Sequence, residues 1–425
     1  MKKLLAMVLA MAMVLSVCSF SLAEGDVEIT WAFWDDLVAT DDLITKGYAE
    51  VIDRFNAADN GYKVVPITTN LEEYDSKVAA LISGKQAPDV WICNPGPNMD
   101  VYVEADLVMP LNDILAANPE WNDSFSGGIF ERMTYDGQIM AVPTNFAAAC
   151  CFYNTEMFAT AGVEVPTTFD ELLVACQKLQ DAGFQPITCS AGTPWCLSMV
   201  AGYLADRCGG PDNLTAVSEG TSTWLSEPSY TTAANKLLEL SKYFQKTCAS
   251  DTNDECVAQF YNEQAAILVQ GSWVIAQING AVPEFEEKCG VFQFPGVEGG
   301  ADPNRMIVKT DNLLVSKNTK NVDACVELLK YFTDETAQKY TAEVGGKIPV
   351  TGVEIDFEKA PKQLSFVNEI LGGMTGTLGF YNESLASVEA GDVFDNAMVS
   401  IVLGQKTVEQ ALTTINNHYE DEVWE

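Results

Sequence analysis

Catalysis by this chain would have to manage with a single histidine, His418. Val408, Ala411, Leu412 and Ile415 share one face of a terminal amphipathic helix, and His418 falls off that face. A Ser-His-Asp relay has no other base to call on. No Gly-x-Ser-x-Gly elbow, phosphate loop or dinucleotide fingerprint is present in the sequence. The acidic pairs Asp35-Asp36 and Asp41-Asp42 share only their residue type with glycosidase carboxylates. That chemistry depends on spatial separation, and 60 Asp and Glu make adjacency ordinary. Asp251-Thr252-Asn253-Asp254-Glu255 has the acidity of a calcium loop without its central glycine or distant glutamate. The 12 cysteines contain no Cys-x-x-Cys, so a zinc site would need scattered thiolates. No catalytic residue, metal ligand or cofactor is expected.

Other residues suit binding without turnover. Trp34, Trp195 and Trp273 sit where a strand or loop ends, among Gly, Pro or Asp. A flat ring matches the apolar C–H face of a sugar, contributing roughly 0.5–1.5 kcal/mol beyond area burial if aromatic pairs are a guide. Asp35, Asn70, Asn94 and Asn145 follow predicted strands. Their carboxylates and amides match a rim of hydroxyls, since each offers acceptors and Asn also donates. Asp311, beside Asn312, could accept from a hydroxyl in the same way, and Lys347, a rare cation, could donate to one. The competing roles are core packing for each Trp and turn formation for each Asn or Asp. A glycine-rich stretch, Gly372 to Gly379, leads into Phe380-Tyr381 and either shapes a cleft or connects irregularly.

The elements that must position these residues follow from periodicity. Val27, Ile29, Trp31 and Phe33 alternate as a strand. Tyr48, Val51, Ile52 and Phe55 form a helix stripe, and Tyr62 to Thr68 reads as a second strand. Tyr74, Val78, Leu81 and Ile82 form another helix face, followed by a short strand, Asp89 to Cys93. Alternating strands and helices define an α/β chain with a parallel sheet. The pattern restarts after about residue 150. Thr168 and Glu171 make a capping box, as do Thr407 and Gln410 near the end. Further strands are predicted at Gln185 to Cys189, Ala265 to Val269, Gly290 to Phe294 and Asn312 to Ser316.

Five landmarks, in this order, resemble the family 1 extracellular solute-binding proteins, which include maltodextrin- and oligosaccharide-binding proteins. They are Phe33-Trp34-Asp35; Lys77 to Ile92 with Ala87-Pro88-Asp89-Val90; Tyr135-Asp136-Gly137 through Phe152-Tyr153-Asn154; Pro166 to Leu172; and Phe260 to Gly271-Ser272-Trp273. The tail from Phe394 to Leu412 resembles the family's closing helices. Glu263-Gln264 stands where the family often has a glycine before the Ala-Ala strand. The resemblance implies a two-lobed α/β fold, each lobe an open, mainly parallel sheet flanked by helices, with a ligand cleft between. It implies one lobe from 24–145 and 311–347 and another from 146–310 and 348–425. Chain crossings fall near Pro143–Ala147, Lys309–Asn312 and Gly345–Val350. It also implies a monomeric binding subunit of an ABC importer, passing a sugar or short oligosaccharide to permease subunits by hinge closure, and not an enzyme. Non-sugar solutes such as peptides, polyamines or polyols, and a secreted glycan-active enzyme, are the alternatives.

Composition fits that reading. The 425 residues suffice for two lobes, with 48% hydrophobic and 10% aromatic content. Lys and Arg number 24, giving a net charge of −36, which opposes phosphate backbones and anionic lipid. No nucleic-acid partner is expected. Residues 1–23 read as a signal peptide: Lys2 and Lys3, an apolar run from Leu4 to Val17, then Ser21-Leu22-Ala23 before a new terminus at Glu24. Leu15-Ser16-Val17-Cys18 offers the alternative of a lipid-modified Cys18, although Val17 is atypical there. No later run is long enough to span a membrane after cleavage. An exported, extracellular or cell-envelope location is expected. Cys93, Cys176 and Cys325 sit in apolar patterns as buried thiols. Cys248 and Cys256 flank a polar stretch and are expected to pair as a disulfide.

Overall fold

The computed structural model describes residues 26–424. The expected leader, its cleavage site before Glu24, and Cys18 lie outside them. Chain order of the strands is β1 Val27–Phe33, β2 Tyr62–Thr68, β3 Val90–Cys93, β4 Thr134–Tyr135, β5 Gln138–Ile139, β6 Val142–Asn154, β7 Ile187–Thr188, β8 Ile267–Gly271, β9 Cys289–Phe292, β10 Arg305–Val315 and β11 Gly376–Leu378. The main sheet runs β2-β1-β3-β10-β6-β8-β7, with β11 on β10 and β9 on β6.

Pairing is parallel where the sequence alternates strand and helix, β1 with β2 and β3. It is antiparallel where β10 pairs with β3 and β6 and where β6 pairs with β8 and β9, and parallel again between β10 and β11. The two long strands β6 and β10 run through the whole molecule. Val142 and Leu313 pack in one core with Trp31, Phe55, Trp91 and Phe332. Further along the same strands, Cys151 and Ile307 pack in another core, with Phe169, Tyr203, Trp224 and Tyr419. Ala148, Cys150 and Val308 join a third cluster around Phe260, Ile275 and Phe285. Each such large buried side chain contributes roughly 1.5–3 kcal/mol of transfer free energy. The result is a two-lobed α/β fold whose halves share strands.

Local signals account for the ends of many elements. The boxes at Thr168–Glu171 and Thr407–Gln410 cap their helices as expected. A third box, Thr252–Glu255, starts the helix Asn253–Tyr261. The acidic stretch at 251–255 is therefore a helix start. Where the resembling family often has glycine, Glu263 takes a left-handed φ of 59°. Its carboxylate is held there by Lys288 Nζ at 2.9 Å and Asn154 Nδ2 at 3.3 Å.

All eleven cysteines among the described residues are free thiols, which corrects the expected Cys248–Cys256 disulfide. The reason is local. The Thr252 cap sets Cys256 on the inner face of its helix, where Gln245 Nε2 donates to its Sγ at 3.3 Å. The same amide donates to Cys189 O and to Asp251 Oδ2, each at 3.0 Å, so the turn is tied without a covalent bond. Burial pushes both thiols up to about 11, leaving them protonated at neutral pH.

Candidate functional site

The cleft between the two main cores is built from strand ends and helix starts. β1 ends at Phe33, and Trp34 and Asp35 follow into the cleft wall. Asp35 Oδ2 accepts from Thr45 Oγ1 at 2.8 Å, and Asp42 caps the helix Leu43–Ala57 by accepting from Thr45 N at 2.8 Å. Burial pushes the Asp42 carboxyl up, against that hydrogen bond and the charge of Lys347. Asn70 lines the wall while capping the helix Leu71–Ser83, with Oδ1 accepting from Glu73 N at 2.9 Å. Asn94, just after β3, also lines it, and its buried Oδ1 has no hydrogen-bond partner.

From the other side come Trp195, at the start of the helix Trp195–Gly209, and Trp273, just after β8. Their ring centroids lie 6.0 Å apart at 66°. Phe380 lies 5.9 Å from Trp273. Gly271 is required here, because a Cβ on it would come within 2.0 Å of the Trp273 indole. Lys309 stands between the walls. Its Nζ lies 5.9 Å from the Trp34 ring centre and 5.8 Å from those of Trp273 and Phe380, within reach of each π face.

Below Lys309, two residues along β10 and on the same strand face, Asp311 anchors a buried polar cluster. Asp311 Oδ2 accepts from Lys347 Nζ at 2.9 Å and from Asn145 Nδ2 at 2.8 Å. Asn145 also donates to Tyr48 Oη at 2.7 Å, and Tyr48 Oη meets Thr144 Oγ1 at 2.8 Å. Burial acts to raise the Asp311 carboxyl, but Lys347, Lys309 and the Asn145 hydrogen bond outweigh it and hold it below the usual carboxylate range. Tyr48 is pushed well up by burial and by the Asp311 charge. The cluster joins all three expected crossings: β6 near Asn145, β10 at a register shift between Asp311 and Asn312, and the segment from Lys347, where Phe146 bridges Ile348.

Two chambers result, of about 270 and 380 Å³, sharing Asn94, Trp195, Trp273 and Lys309 on their walls. Eight of the nine expected site residues line the first: Trp34, Asp35, Asn70, Asn94, Trp195, Trp273, Asp311 and Lys347. Asn145 lies behind it, bonded to Asp311. Sequence reasoning missed Tyr48, Gln277 and Lys309 in the first chamber, and Glu383 and Asp395 in the second, where Phe380, at the end of the glycine-rich stretch, also lines the wall. Lys309 had a usable signal, its two-residue spacing from Asp311 on a strand. Among the described residues no cluster of His, Cys, Asp or Glu could hold a metal ion, and no helix is long and apolar enough to cross a membrane.

Two lobes, shared crossing strands and a polar-aromatic cleft define a solute-binding protein of the hinged α/β class. Residues 50–362 match the family described as bacterial extracellular solute-binding protein, and the chain belongs to that family. Its members bind solutes and are not enzymes. An uncharacterized ABC transporter extracellular-binding protein of Pyrococcus horikoshii is 24% identical over 343 residues, 79% of this chain and 75% of that one. The sn-glycerol-3-phosphate-binding periplasmic protein of Yersinia enterocolitica is 24% identical over 395 residues, 85% of each chain. A solved structure from work on xylan utilization by Caldanaerobius polysaccharolyticus superposes with a TM-score of 0.85, at 24% identity, covering 92% of this chain and 99% of that one.

Proposed function

We propose that this chain captures a sugar or short oligosaccharide for an ABC importer and hands it to the permease as an exported, monomeric subunit. The observation that carries the reading is the aromatic pair across the cleft. Trp34 packs on one core and Trp273 on the other, with amides and carboxylates around them. Rings of this kind stack on pyranose faces, while Asp35, Asn70 and Asn94 take hydroxyls. The lobes are 24–145 with 311–347, and 146–310 with 348–425. Asn145, Asp311 and Lys347 hold the hinge, and Asp311 and Lys347 reach the ligand from its floor, with Asn145 supporting Asp311 from behind. Export follows from the leader at 1–23, with lipidation of Cys18 as the alternative terminus.

The charge of the cleft argues against a phosphorylated polyol. Lys309 and Lys347 are the cationic side chains lining the first chamber, and Lys347 is already paired with Asp311. Asp35 and Asp42 would repel a phosphate there. A thermal-shift panel of mono- and oligosaccharides beside sn-glycerol 3-phosphate tests the reading, because a ligand stabilises the native state by mass action. A saccharide should raise the melting temperature and the phosphate should not. A response to the phosphate alone would overturn the proposal.

A further inference from the structure

The second chamber carries chemistry that a neutral sugar leaves unused. Four carboxylates line it, Asp75, Glu383, Asp392 and Asp395, and among the described residues Lys309 is the one cationic side chain on its wall. Glu383 and Asp395 are only 8% and 6% exposed. Glu383 Oε1 lies 3.7 Å from Lys309 Nζ, but its buried Oε2 has no hydrogen-bond partner. Asn94 Oδ1 and Asn382 Oδ1, on the same wall, are buried and unpartnered too. These unmet atoms are all acceptors. A hydroxyl brings one donor and two lone pairs, whereas an ammonium brings three donors and no lone pair.

Charge points the same way. Lys309 is engaged by Glu383 and by the faces of Trp34, Trp273 and Phe380. Asp395 has only neutral partners, the Ser198 hydroxyl on Oδ1 and Asn382 Nδ2 on Oδ2 at 3.1 Å. Burial, reinforced by the charges of Asp392 and Glu383, pushes its carboxyl up to about 7. Buried carboxylates short of counter-charge are costly to keep, and an arriving cation relieves that cost.

We propose that the second chamber is a subsite for a sugar unit bearing a free primary amine, its ammonium received by Glu383 with Asp392 and Asp395. This rests on the carbohydrate reading above and narrows it to aminosugar-containing saccharides. The first chamber stacks one ring and the second selects the charge on the next.

The test is calorimetric titration of the whole chain with matched oligosaccharides of several linkages. Each set has the same backbone carrying hydroxyl, N-acetyl or free amine at one carbon. At low salt and neutral pH, the amine form should bind at least about tenfold more tightly than its hydroxyl counterpart. Glu383→Gln should bring the ratio toward one. Asp392→Asn, on an exposed side chain, should lower the ratio by itself. Equal or weaker binding of the amine form would overturn the subsite while leaving the carbohydrate reading intact, as would a ratio unchanged in both variants. Spermidine serves as a non-sugar amine. Its binding in preference to every saccharide, or failure of every saccharide to bind, would overturn the carbohydrate reading itself.

Discussion

The two chambers share a wall and differ in how their charges are met. In the first, Asp35 is held by the Thr45 hydroxyl, Asp42 caps a helix, and Asp311 is tied to Lys347 and Asn145. In the second, Glu383 keeps an oxygen without a partner and Asp395 has only neutral donors. The carboxylates of the first are already met by the protein's own donors and cation, and those of the second are not. A carboxylate's role in a cleft therefore depends less on its presence than on whether the protein has already answered it.

The largest effect should come from breaking the answered pair. Lys347→Met leaves Asp311 buried without its ammonium and should cost about 3–5 kcal/mol by denaturant titration, with much of the loss recovered in Asp311→Asn/Lys347→Met. A loss below about 1 kcal/mol would mean that the floor of the first chamber does not depend on this pair. Next is Trp273→Ala, which should weaken saccharide binding by about 2–4 kcal/mol in calorimetry, in the range for a buried aromatic anchor. The unliganded variant should keep most of its melting temperature, since the indole is only half-buried. A large melting loss with near-native affinity would reassign it to core packing.

The unanswered chamber should show itself in pH. Asp395 has a carboxyl raised by folding, so the folded state holds its proton more tightly than the unfolded chain does. Its contribution is fully present below the ordinary carboxylate range and is lost as pH rises through about 7. Over that window, stability of the native chain relative to Asp395→Asn should fall by up to about 1.4 kcal/mol per pH unit. A pH-independent difference would show that Asp395 is ionised throughout. The smallest effect expected is none: reductant should leave the melting temperature unchanged, and Cys248 and Cys256 should both alkylate once the chain is unfolded.

How legible this was depends on distance along the chain. Strands and helices from Val27 to Cys93 follow local periodicity, and Tyr48, Val51, Ile52 and Phe55 bury the face they predict. Residues flanking strand ends reach the cleft because strand ends form its rim, which is why Trp34, Asp35 and Asn94 could be read directly. Asn70 shows the limit, since its capping of a helix uses the oxygen offered to a ligand. Strand β6 was not legible as a strand, because burial on both faces removes the alternation that marks one. Glu383 and Asp395 were hidden because their significance lies in Lys309 and Ser198, far away in sequence. The Cys248–Cys256 expectation failed for the same reason: Gln245 and the helix cap, not spacing, decide where those thiols point.

The pairing of β10 with β3 also carries a consequence for how the chain acquires its shape. The hydrogen bond from Asn312 to Cys93 O joins residues 219 positions apart. Until β10 arrives, β3 presents an open edge with an apolar sequence, Val90–Cys93, able to pair with the wrong strand or the wrong molecule. Closing so long a loop is slow, because entropy is lost before the contacts that repay it form. Neither lobe can finish alone, so completion of both should come as one late event. Refolding after dilution from denaturant should therefore be slow and sensitive to protein concentration, with the exposed edge of β3 as the point where association competes with folding.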